Sequence, residues 1–283
     1  MKHDWKDTLK IWGWMIASIC LGLALIPFTQ TKVVQPPAIA PWLIAVVAIT
    51  FLVVGAVVWY YVMKRVRVMT VEYAFAIMTA YAATDALRTL VLDHLPWWQQ
   101  ASISVASYLF FVYGYIKLVR KMQESWYWTL KLAWISNLYM IVFYAALGTL
   151  IGALIPPIAA LLILIGAAIY DWVAVRKAGN MIFMANYFTK QRMFPGIVIP
   201  KEDPEKFAML GGGDIFFIIL VSTAFFKSNP IVMFTTAIGM TAAVIGLFVL
   251  SKKDKFYPAL PYILSGCVIG LGAAFWLFRV IRW

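Results

Sequence analysis

The chain has 283 residues, of which 64% are hydrophobic and only 13% charged, and such a composition cannot close into a water-soluble globule without leaving large apolar areas wet. A soluble enzyme is therefore excluded, and the chain reads as an all-α, polytopic protein of the cell membrane whose surroundings are a lipid bilayer. The net charge of +12 would suit nucleic acid, but Lys and Arg lie beside the apolar runs, so the charge orients spans and no nucleic-acid partner is expected.

A spanning helix needs about 20 apolar residues. In chain order the apolar segments run from Leu9 to Phe28, Ile39 to Met63, Val71 to Leu92, Ala101 to Val119, Tyr127 to Leu147, Leu154 to Val175, Phe207 to Phe226, Ile231 to Leu250 and Pro258 to Phe278. That makes about nine spans. The first resembles a signal peptide in its basic flank, but its run is long and Ala38-Ile39-Ala40 precedes Pro41, a poor cleavage context, so it reads as a retained span. Breakers mark the joints: Pro36-Pro37, Pro96, Pro156-Pro157 and Asn229-Pro230. Cys20 and Cys267 both fall in apolar runs and read as packing residues, and His3 with His94 cannot assemble a zinc site, so neither metal nor cofactor is expected.

Of the 24 Lys and Arg residues, all but Lys32, Arg88, Lys227, Arg279 and Arg282 fall at the N-terminus or in joints 2/3, 4/5, 6/7 and 8/9. This asymmetry places the N-terminus in the cytoplasm and the C-terminus outside. The chain is accordingly read as one membrane-embedded domain: residues 1–176 with six spans, 177–206 as a cytoplasmic interfacial connection, and 207–283 with three spans. In that connection, Ala178 to Phe194 mixes Met181, Ile182, Phe183, Met184, Tyr187 and Phe188 with Lys190 and Arg192, as an amphipathic stretch does. Gly196 then opens Ile197-Val198-Ile199, a β-branched run suited to a strand.

Ionisable groups inside hydrocarbon are costly and need a reason. Asp85 and Arg88 lie three residues apart and read as a structural pair, and Asn137 reads as a hydrogen-bonding residue between helices. Asp171 and Asp214 have no basic partner within a turn except at the membrane edge. At about 1.5 Å per helical residue they lie roughly 8 and 12 Å from the same cytoplasmic face. Two facing carboxyls in a dry site should hold one proton between them, which suits water activation by an aspartic protease and equally the relay of a proton-coupled transporter. The flanks favour the protease: Gly211, Gly212 and Gly213 bare the backbone beside Asp214, and Pro258-Ala259-Leu260-Pro261 adds an irregular segment at nearly the same depth.

Tyr170-Asp171, Gly211-Gly212-Gly213-Asp214 and Pro258-Ala259-Leu260-Pro261, in that order on spans 6, 7 and 9, resemble the presenilin and signal peptide peptidase group of GxGD intramembrane aspartyl proteases, above all its compact microbial members. The resemblance covers the C-terminal half well and spans 1 to 5 only in hydropathy. It implies an endopeptidase cutting single-span transmembrane proteins near their cytoplasmic end. Asp171 and Asp214 would be the catalytic pair, and Tyr170, Gly211 to Gly213 and Pro258 to Leu260 would line the substrate. It implies further that Ile197, Val198 and Ile199 pair with an unwound substrate. Gly212 departs from the family, where a bulkier apolar residue is usual.

Overall fold

The computed structural model of the chain describes residues 5–30, 40–65, 68–88, 95–178, 180–201, 207–226, 228–250 and 257–278. In order these form α1 (Trp5–Gln30), α2 (Pro41–Arg65), α3 (Val68–Leu87), α4 (Trp97–Glu124), α5 (Trp126–Leu154), α6 (Pro157–Val173), a π-helical turn (Ala174–Ala178), α7 (Asn180–Lys190), β1 (Gly196–Pro200), β2 (Phe207–Gly211), α8 (Gly212–Phe226), α9 (Pro230–Leu250) and α10 (Leu260–Phe278). Helices dominate because lipid offers the backbone no partner, so each segment must satisfy its own amides. The result is a polytopic, multi-pass membrane fold. Among the described residues seven helices are long and apolar enough to cross a bilayer: α1, α2, α4, α5, α6, α9 and α10.

Prolines begin several of these helices, at Pro41, Pro157 and Pro230, where the missing amide would have no intrahelical acceptor anyway. Asn229 caps α9 by accepting from the Ile231 N–H at 2.7 Å. One extended residue, Ser125, ends α4 and caps α5 through its hydroxyl oxygen. The joints at Pro36-Pro37, Arg67, Lys206 and Lys252 to Lys255, the first cationic residue, Lys2, and Lys32, Lys227, Arg279 and Arg282 of the opposite side lie outside the described residues.

Helix α5 is the hub. Of its apolar window 61% is buried, against 6% for α2, and it packs on α1, α3, α4, α8 and β1. Lipid removes the hydrophobic reward for helix association, so close approach and polar contacts hold such bundles together. Gly148 and Gly152 bring α5 against Ile219, Leu220 and Thr223 of α8, and Gly266 and Gly270 bring α10 against Gly239, Thr235 and Thr236 of α9. Both small-residue motifs thus pack within the chain. The Thr149 hydroxyl donates to Gly22 O at 2.9 Å and the Ser18 hydroxyl to Ile141 O at 3.3 Å, tying α5 to α1.

On α3 the Glu72 carboxylate is buried 3.4 Å from Arg120 Nε of α4, and Arg120 also donates to the Tyr73 hydroxyl at 2.9 Å. Arg120→Ala strands a buried anion, whereas Glu72→Gln removes the charge together with its desolvation cost. Half of the Arg120 side chain is exposed, which softens the penalty to about 2 kcal/mol for Arg120→Ala, with about 1 kcal/mol or less for Glu72→Gln. Thermal unfolding in detergent checks this order, and equal shifts would contradict it.

The connection between α6 and α8 holds the main departure from the sequence reading. Ile197 to Ile199 form the centre of β1 as expected, but Phe207 to Gly211, read as the start of span 7, are extended and pair antiparallel with β1. The register sets Val198 opposite Met209 and Gly196 opposite Gly211. Pairing with β1 satisfies the β1-facing amides and carbonyls of Phe207–Gly211 and holds the segment extended, so α8 begins only at Gly212 and has 15 residues. A side chain at Gly196 would run into Leu210 O and the Gly212 N–H, so this close approach of the strands requires glycine. The amphipathic stretch expected from Ala178 to Phe194 yields the shorter α7, ending in a turn where Arg192 has φ 52°.

Candidate active site where α6, α8 and α10 meet

Helices α6, α8 and α10 pack on one another, and each contributes one element. Asp171 lies in the last turn of α6, three residues before the π-helical turn begins, and is 5% exposed. Its Oδ2 accepts the Leu260 N–H at 3.1 Å. Leu260 is the first residue of α10, and the amides of a first helical turn have no partner within the helix. Ala259, the residue in the capping position, accepts from the Tyr262 and Ile263 N–H groups through its main-chain oxygen, but its methyl group cannot cap. Asp171 supplies the missing side-chain oxygen from another helix. Pro258, Ala259 and Leu260 are all buried beside it.

Asp214 is the third residue of α8 and is partly exposed. The first turn of a helix favours negative charge there. Asp171 and Asp214 thus sit on two helices that pack directly on each other, α6 and α8. Gly211 and Gly213 are exposed, a side chain at Gly213 would meet only open space, and one at Gly211 would come within 3.2 Å of Asp214 Oδ2. The backbone beside this carboxyl is therefore bare. Because Phe207 to Gly211 are extended, the helical rise used to place Asp214 does not apply to it; Asp214 sits at a helix start reached through a strand.

Two solved structures of a presenilin family intramembrane aspartate protease match nearly the whole chain. The first, in a P2 space group, has a TM-score of 0.64 at 16% identity and covers 95% of this chain and 97% of that one. The second, in a C222 space group, has a TM-score of 0.61 at 13% identity, covering 94% of this chain and 98% of that one. The fold is that of the presenilin family. No family model and no curated protein matches the sequence.

Within this presenilin-like fold, the Tyr170, Gly211 to Gly213 and Pro258 to Leu260 segments flank the two carboxyls, with Tyr170 adjoining Asp171 and half-buried. Two further residues of α5 also reach this region. The Tyr144 ring occupies the place that a side chain at Gly212 would need, and its hydroxyl donates to Pro195 O at 2.8 Å. The Gly212 N–H donates to the same oxygen at 3.2 Å, so Tyr144 and Gly212 share an anchor at the root of the strand pair. At Gly212, where the resemblance led to a bulkier residue, an aromatic ring from α5 fills the space instead. Nothing in the sequence around Tyr144 sets it apart from other aromatic residues of an apolar helix. Asn137 stood out as a polar residue, but its partner is a strand: its Nδ2 donates to Val198 O and its Oδ1 accepts the Val198 N–H, each at 2.9 Å.

Proposed function

We propose that the protein is an intramembrane aspartyl endopeptidase that hydrolyses transmembrane-helix substrates with Asp171 and Asp214 as its catalytic pair. The observation that carries this reading is that the packed helices α6, α8 and α10 bring together Asp171, whose carboxylate accepts the Leu260 N–H, and Asp214 beside bare glycine backbone, in a presenilin-family fold. That fold favours peptide hydrolysis over the proton-coupled transport that the residue types alone would also allow.

In the proposed reaction the two carboxyls share one proton. The ionised member removes a proton from water, whose oxygen attacks the scissile carbonyl, while the protonated member donates to the carbonyl oxygen. A tetrahedral diol forms with no covalent bond to the protein. Its collapse breaks the C–N bond, and a proton delivered to the nitrogen completes the products. No metal or cofactor is required.

The distribution of Lys and Arg supports a cytoplasmic N-terminus and connection 177–206, with a single membrane-embedded domain around the site. Cleavage then falls near the cytoplasmic end of a substrate entering with its N-terminus outside. An extended substrate needs backbone partners that lipid cannot give, and strand addition supplies them. Both edges of β1 are engaged at its centre, one by β2 and the other by Asn137. We therefore assign strand addition to β2, which leads directly into Gly211 to Asp214, in place of Ile197 to Ile199.

The test is incubation of the purified protein in detergent with an N-out single-span reporter, with and without an aspartyl transition-state analogue. Analogue-sensitive products near the cytoplasmic end are expected. Absence of any cleavage, or cuts clustered at the outer end, would refute the reading. A shared proton also predicts a bell-shaped pH profile, falling on the acid side when both carboxyls are protonated and on the basic side when both ionise. A flat profile from about pH 4 to 9 would argue against the pair acting together.

A further inference from the structure

We propose that Asn137 is a positioning residue that closes the outer edge of β1, so that the hairpin accepts an incoming strand on β2 alone and holds it in one register relative to Asp214. The inference rests on the peptidase reading above for its substrate, but the closure of the edge stands on the geometry.

A carboxamide reproduces both halves of a peptide group. Asn137, 1% exposed, uses them together: its oxygen accepts from the Val198 N–H and its nitrogen donates to the Val198 oxygen, both at 2.9 Å. Side chain and strand thus form one rung of a ladder. The phase of the hairpin explains why Val198 is the residue held. In an antiparallel pair, opposite residues alternate between exchanging both backbone bonds and turning both groups outward. The Gly212 N–H to Pro195 O bond lies just outside the pair Gly196 and Gly211. It follows that Ile197 and Leu210 bond each other, while Val198 and Met209 turn their groups away from the hairpin's inside. Outward from β1 lies Asn137. Outward from β2 the Met209 N–H and C=O have no bond to any described residue.

Two turns along α5 from Asn137, Tyr144 holds Pro195 O. Helix α5 therefore grips the strand at two points three residues apart, and the Val198 side chain is fully buried against Leu118, Met122, Ala133 and Phe194. Few other side chains serve. Asp accepts but cannot donate, Leu matches the shape with no polar group, and Ser is too short to form both bonds. Since a strand has a side-chain period of two, any freedom in the hairpin changes which substrate bond faces Asp214.

The experiment compares wild type with Asn137→Leu and Asn137→Asp in detergent. It uses the single-span reporter with mass spectrometry of the products, and measures amide hydrogen exchange at Val198 in the same preparations. Wild type is expected to give one dominant product boundary. Asn137→Leu should spread cleavage over two or more neighbouring bonds and speed exchange at Val198 by about tenfold or more. Asn137→Asp, which keeps the acceptor, should protect the Val198 amide better than Leu does while still broadening the products. A drop in rate with an unchanged product boundary would overturn the positioning role and leave Asn137 merely structural. Unchanged exchange in Asn137→Leu would overturn the edge closure itself. Should wild type cleave nothing, the peptidase reading falls and the register claim with it, while the exchange measurement still decides whether Asn137 closes the edge. Should Asn137→Leu not fold, Asn137→Asp supplies both readouts.

Discussion

Asp171→Asn and Asp214→Asn are each expected to lower cleavage of a single-span reporter by about 10³-fold or more, because an amide can neither take a proton from water nor pass one to the carbonyl. The substitutions separate chemistry from architecture. Asp171 Oδ2 caps α10 through the Leu260 N–H, and an asparagine oxygen can accept the same bond. Asp171→Asn should therefore keep wild-type unfolding behaviour while losing activity. Asp171→Ala removes the cap as well, adding a stability loss of about 1 kcal/mol. Product quantification by mass spectrometry, alongside thermal unfolding of the same samples, checks both parts. Substantial cleavage by either folded asparagine variant would remove that residue from the proposed catalytic pair.

The second large effect is expected at Gly212. Any side chain there collides with the Tyr144 ring, which is itself held by the Pro195 oxygen. Neither partner can yield cheaply, since Gly212 begins α8 and Tyr144 lies in the hub helix. Gly212→Leu should cost about 3 kcal/mol or more, at the upper end of overpacking penalties. Tyr144→Ala vacates the space, so the double variant should recover much of the loss. The readouts are the yield of monodisperse protein and its unfolding temperature. An unaltered unfolding temperature in Gly212→Leu would contradict the placement of Tyr144.

The positions of most helices were legible because a bilayer imposes a coarse rule, apolar length, that composition reports directly. Asp171 and Asp214 stood out for the converse reason, as ionisable groups in segments that otherwise lack them. The start of span 7 was not legible. Phe207, Ala208, Met209 and Leu210 contain nothing that breaks a helix and continue smoothly into an apolar run. What makes them a strand is β1, and that pairing is a tertiary event. Ile197 to Ile199 gave their own signal through β-branching, whereas β2 borrowed its conformation from them. Asn137 showed its polarity but not its partner. Tyr144 could not be singled out, because its role depends on the absence of a side chain at a glycine 68 positions away.

Arg192 bears on how the whole assembly carries force. It adopts φ 52°, costly for a residue with a side chain, and its guanidinium donates to Met122 O and Gln123 O at the end of α4, at 3.1 and 3.3 Å. The Gln123 side chain returns the contact by donating to Gln191 O at 3.1 Å. In chain order the connection belongs to α6 and α8, but its load path runs to the corner between α4 and α5, which a single residue, Ser125, turns. Helices α4 and α5 with β1 thus form one truss, braced at Arg192, Asn137 and Tyr144. A tilt of that truss carries the hairpin with it, so a force applied at the α4–α5 corner, far from either carboxyl in sequence, reaches the strand that leads into Asp214.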